Sequence, residues 1–182
     1  MTIYLTNHAS VAAVQRRTAS AESRACVGPG PVYSIMRHPR RHMGEEGEGR
    51  VLRLTPQSAL VMPAIGAKKA YDRGDEAAAA AWRTYEEALR ARWERPDWIR
   101  ACAPGALRFA EEERGAFKEG ECLPWDDSWW RERGPVPDGA TLICACSREA
   151  AAAGRCHRVI AADVLRIAGW RVILDGREVT RG

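Results

Sequence analysis

GATLICACSREAAAAGRCHR, residues 139–158 of the chain, joins a short apolar run to a Cys-His-Arg triplet. Residues 140–144 form a short apolar run bounded by turn signals, the pattern of a strand buried on both faces. A short polar and alanine-rich loop closed by Gly154 follows. The triplet Cys156-His157-Arg158 then opens residues 159–168, where Ile160, Val164, Leu165 and Ala168 recur at helical spacing. Gly169 stands where a helix-terminating glycine belongs. Residues 170–174 read as another strand, and Asp175-Gly176 as a turn. Strand, helix and strand at this length make a βαβ unit, which requires a parallel pair of strands.

Working outward, residues 2–5 alternate as a first strand and run into the polar tip Thr6-Asn7-His8. Residues 10–25 are alanine-rich with weak periodicity, and Val27-Gly28-Pro29-Gly30-Pro31 is a turn signal. Residues 31–36 read as a second strand, residues 37–49 as a loop with a basic head and an acidic tail, and residues 51–54 as a third strand. Residues 58–65 are too short to arbitrate between helix and strand. A helix is predicted over 76–94, with Asp75 as its cap and Ala81, Tyr85, Leu89 and Trp93 along one face, which Trp82 and Ala88 broaden. Pro96 ends it, a helical turn follows at 98–102, and a second amphipathic helix is expected over 106–117. Residues 118–134 read as irregular, with Trp125, Trp129 and Trp130 as a partner surface or a cap on one side of the sheet. The sum is one α/β domain over 1–182: three-layer, a mainly parallel sheet with flanking helices, Rossmann-like.

Composition narrows the function classes. No apolar run approaches membrane-spanning length, so no membrane partner is expected. The first residues lack a basic region followed by an apolar stretch, and a cytoplasmic location is the expectation. The net charge of +4 is mild, but arginine strongly outnumbers lysine, and its planar fork suits phosphate. Nucleic acid is therefore an admissible partner, with Arg37, Arg40 and Arg41 as its contacts. Six cysteines in such a chain do not read as a disulfide framework. Cys26, Cys102 and Cys122 are scattered small hydrophobes, whereas Cys144, Cys146 and Cys156 converge with His157.

Three chemistries fit that convergence. A thiol at a helix start faces unpaired backbone N–H groups and the positive end of the helix dipole, which lower its pKa. Cys156 would then be a nucleophile, His157 its base or orienter, and Arg158 a clamp on a phosphate-bearing ligand such as a nucleotide or nucleic acid. Thr6, Asn7 and His8, at the carboxyl end of the first strand, would line the opposite wall. Alternatively Cys144, Cys146, Cys156 and His157 offer three sulfurs and one nitrogen to a structural zinc in a module that binds protein or nucleic acid. In the third reading Cys144 is core and Cys156 merely a cap.

The fragment Leu142-Ile143-Cys144, a gap, and Cys156-His157-Arg158 before an apolar helix resembles the C-terminal signature of domain-of-unknown-function family 488. Tyr4 in the first strand, the second strand before a variable loop, residues 51–56 and the helical region around Tyr71 and Tyr85 are similar to its small bacterial and phage-encoded members. The resemblance implies a compact α/β domain and carries over Cys144, Cys156, His157 and Arg158 as signature residues. It implies no activity; a phage or mobile-element accessory role rests on it alone. Where the family pattern has an acidic residue two positions after the first Cys, this chain has Cys146, which shifts the expectation from a carboxylate mechanism toward a metal or redox role.

Overall fold

The computed structural model describes residues 1–36, 49–56, 75–112 and 130–180. Strands β1 (Thr2–Asn7), β2 (Val32–Ser34), β3 (Gly49–Arg50), β4 (Arg108–Glu112), β5 (Trp130–Pro135), β6 (Thr141–Cys144), β7 (Arg171–Leu174) and β8 (Arg177–Glu178) form one sheet. Its order is β5-β4-β3-β2-β6-β1-β7-β8. The sheet is mixed. Strands β3, β2, β6, β1 and β7 run parallel, while β4, β5 and β8 join antiparallel at the two sides.

All four residues of β6 are buried, as its unbroken apolar run requires. Successive side chains of a strand point to opposite faces. Leu142 and Cys144 enter the large cluster that also holds Ile3, Leu5, Tyr33, Ile35 and Val172. Ile143 packs instead with Val11 and Met36 in a second, smaller cluster. Val11 comes from α1 (His8–Gln15), which leads through α2 (Ala21–Ala25) to the turn before β2. That turn lies against the start of β6: Gly30 N–H donates to Gly139 O at 3.0 Å, and a Cβ on Gly28 would come within 2.1 Å of the same oxygen. Glycine there is a condition of the close approach.

The large cluster is covered by α3 (Glu76–Trp93), with α4 (Pro96–Ala101) beside it, and by α6 (His157–Ile167). Asp75 caps α3, accepting the Ala78 N–H at 3.1 Å. Trp82, Tyr85, Leu89 and Trp93 form its buried stripe. In α6, Ile160, Ala161, Val164 and Leu165 are buried, and Gly169 follows with φ 101°. Arg90 Nη1 and Nη2 reach Asp163 Oδ2 at 3.2 Å, joining α3 to α6.

Four expectations are corrected. Residues 130–134, irregular by sequence, belong to β5, held extended by pairing with β4. Residues 108–112 form β4 rather than a helix: pairing with β5 and β3, and stacking of Phe109 on Tyr33 (centroids 4.8 Å apart), override the helix propensity of Ala-Glu-rich sequence. Leu52–Leu54 is a 3₁₀ turn, and the strand lies just before it at β3. The alanine-rich loop after β6 contains a short helix, α5 (Arg148–Ala152), capped by Ser147. Residues 58–65 and the loop bearing Arg37, Arg40 and Arg41 lie outside the described residues, as do Cys122, Trp125 and Trp129.

Candidate metal centre at the carboxyl edge of the parallel strands

Strand register brings the outgoing ends of β1, β2 and β6 together: Asn7 pairs with Cys144 and Ser34 with Ile143. Parallel α/β sheets bind ligands at this edge. Cys144 closes β6, Cys146 follows on the departing loop, and Cys156 is the N-cap of α6. The three sulfurs all lie within 4.8 Å of one another. Cys144 Sγ and Cys156 Sγ are 3.6 Å apart and buried, and Cys146 is half-buried. The Cys146 backbone N–H donates to Cys144 Sγ at 3.5 Å.

His157 joins from the first turn of α6. Its Nε2 is 3.0 Å from Ile35 O, and its Nδ1 is 3.7 Å from Cys144 Sγ. A carbonyl only accepts, so Nε2 carries the proton. In the neutral ring the Nδ1 lone pair then lies toward Cys144 Sγ. Metal-bound histidines are commonly held in this way, with the far nitrogen donating to a carbonyl.

The low-pKa nucleophile expected at Cys156 is not what this environment makes. Hydrogen bonding with Cys144 favours its thiolate, but hydrogen bonding with Cys146 and burial outweigh it and push the thiol up to about 12. Hydrogen bonding with Cys146 and Cys156, then burial, hold the Cys144 thiol well above its ordinary value. Crowded thiols in an apolar pocket disfavour thiolate unless a cation arrives to balance it.

Arg158 was expected to clamp phosphate. Its side chain is wholly buried and occupied within the fold: Nη1 donates to Cys146 O at 2.7 Å, and Nη2 to Ser147 O at 2.9 Å and Asp175 Oδ2 at 2.8 Å. Burial opposes the charge, yet Cys156 and Asp175 hold the guanidinium above its usual pKa. It shapes the loop that carries Cys146. Thr6, also buried, donates through Oγ1 to Asp175 Oδ1 at 3.0 Å. Asn7 caps α1, accepting from Ser10 N–H at 2.9 Å and Ser10 Oγ at 2.7 Å, and His8 is the first residue of that helix. Thr6 and Arg158 thus meet on Asp175 as a structural relay and not as two walls of a phosphate site.

Sequence reasoning missed two members of this region. Asp175 reads locally as a turn residue only, and its positive φ of 48° fits that role. Tyr85 reads as helix core; it is buried in the same cluster as Cys144 and Cys156, and burial and then Cys144, Cys156 and Cys146 raise its phenol pKa. Neither has a local signal, since both reach the centre from distant elements. Of the aromatic surface expected around residues 125–130, the described Trp130 begins β5 and lies under the Arg50 guanidinium at 4.6 Å. Searches against protein-family models, curated proteins and solved structures find no match to this chain.

Proposed function

We propose that the chain is a metal-binding α/β module, in which Cys144, Cys146 and Cys156 hold a zinc ion with His157 Nδ1 as the fourth donor. The observation that carries this reading is the spacing of the three sulfurs. Four ligands about 2.3 Å from a tetrahedral zinc place sulfurs about 3.8 Å apart and a nitrogen about 3.6 Å from a sulfur. The Cys144–Cys156 separation of 3.6 Å and the Cys144–His157 separation of 3.7 Å are close to those edges. A closed set of four protein ligands is structural rather than catalytic. The ion would tie the outgoing end of β6 to the start of α6.

The centre's setting fits a three-layer, Rossmann-like arrangement, inferred from the alternation of Leu142 and Cys144 with Ile143 between two hydrophobic clusters. The likeness to family 488 rests on Cys144 and Cys156 with His157 and Arg158, departs from the family pattern at Cys146, and adds no activity. A nucleophilic role for Cys156 with Arg158 as clamp is less well supported, because the thiol is held protonated and the guanidinium is engaged inside the fold.

The test is cobalt(II) titration of reduced, chelator-free protein, with zinc competition. Thiolate-to-cobalt charge-transfer absorption for about three sulfurs at one ion per chain is expected. Cys144→Ser and Cys156→Ser should weaken binding severely, and His157→Ala by at least about tenfold. Wild-type protein that takes up no more cobalt or zinc than a variant with all three cysteines replaced by serine would end the proposal.

A further inference from the structure

A cavity of about 310 Å³ opens between α5, α2 and the β7–β8 hairpin, beside the outgoing end of β7. Its apolar part is made by Ala151, Ala152, Leu174 and Val179. We propose that this cavity binds a small organic anion, a carboxylate carried on an apolar body.

Pairing decides which charges at the cavity remain for a ligand. Three carboxylates line the cavity, and each already has an arginine: Glu22 has Arg148 at 3.1 Å, Asp175 has Arg158 at 2.8 Å, and Glu178 has Arg171 at 2.8 Å. Arg177, also on the lining, has no ion-pair partner among the described residues. Counting Arg158 and Arg171, which pair with lining carboxylates without lining the cavity themselves, four guanidiniums stand against three carboxylates, an excess of one positive charge. Arg148 adds a guanidinium already held in place. Its Nη2 donates to Ser10 Oγ at 3.0 Å, Ser23 Oγ at 3.2 Å and Cys26 Sγ at 3.2 Å. A group fixed before binding loses little entropy when a ligand arrives. Its carboxylate partner Glu22 is 77% exposed, so their pair is worth little and yields to a ligand carboxylate.

The remaining lining sets the ligand class. Four aliphatic side chains favour a hydrocarbon body over a sugar or a second phosphate. The volume lies at the small end of ligand sites, which begin near about 300 Å³. None of the three clustered cysteines lines the cavity, so the proposal stands independently of the metal centre.

The probe is hexanoate, titrated into the full isotope-labelled chain and followed by amide NMR, with hexanol as its neutral counterpart. Saturable shifts centred on Ala151, Leu174 and Val179 are expected, with a Kd in the millimolar range or below (about 4 kcal/mol or more of binding). Hexanol should bind at least tenfold more weakly. Arg177→Gln, at an exposed position, should weaken hexanoate about two- to fivefold, as expected for loss of one solvent-exposed charge contact. Ala152→Trp should abolish binding by filling the space, and a dispersed spectrum reports that each variant is folded. Equal affinity for hexanol, an unchanged Kd in the Arg177→Gln protein, or no saturable shift would each overturn the proposal.

Discussion

Arg158 carries a charge into a site with no exposed surface, where its donors meet two carbonyls and the Asp175 carboxylate while its Nε has no partner among the described residues. Removing one side of a buried ion pair leaves the other uncompensated, which costs about 3–5 kcal/mol. Arg158→Met and Asp175→Asn should both be destabilised on that scale in urea titrations. Thr6→Val, which deletes one hydrogen bond to the same carboxylate, should lose about 1 kcal/mol. The thiols make a second residue-level prediction. Cys144 and Cys156 are held protonated at neutral pH, so a metal must displace their protons. Zinc affinity should rise with pH through the neutral range, and titration in weakly buffered solution should release two to three protons per ion, an estimate set by thiolate ligation. Proton-free uptake would mean that the sulfurs are not the ligands.

Among the elements, α3 was legible because its cap, its helix formers and its four-residue stripe agree with one another. Asp75→Ala should cost about 1 kcal/mol through the cap. Leu89→Ala should cost about 2–5 kcal/mol through the cavity it leaves in the large cluster. Equilibrium denaturation of reduced protein checks both. The segment that became β4 was misread for the opposite reason. Its residues favour a helix taken alone, and only the partners Arg50 and Glu132 on neighbouring strands make extended backbone the lower-energy choice. Cys102, in the link between α4 and β4, adds a pH signature. Burial pushes its thiol up to about 12 although Arg53 pulls the other way. The unfolded chain therefore loses this proton first, and stability falls as pH rises from about 9 toward 12. The slope from this one group is about 1 kcal/mol per pH unit. Comparing the alkaline stability of wild type with Cys102→Ser isolates it; identical slopes would place the thiol in a more solvated site.

For the whole molecule, the proposed metal at the carboxyl edge would be a source of stability, because the unfolded chain has no preformed site. Zinc at a hundredfold excess over its Kd should add about 2.7 kcal/mol. For a chain of this size that raises Tm by about 5–10 °C, reversed by a chelator, as differential scanning calorimetry would show. A shift that survives replacement of all three clustered cysteines would place the ion elsewhere. The features legible along the chain were local: the βαβ periodicity of residues 140–174, the cap and stripe of α3, and three cysteines and a histidine near a helix start. Spacing and propensity act between near neighbours and can be read along one strand of text. Only the tertiary structure decided that β6 inserts between β2 and β1, and with it that Ile35 O orients His157, that Tyr85 is buried in the same cluster as Cys144 and Cys156, and that Asp175 claims Arg158. Those contacts join residues far apart in the chain. Their geometry follows from sheet order and strand register, which no local pattern encodes.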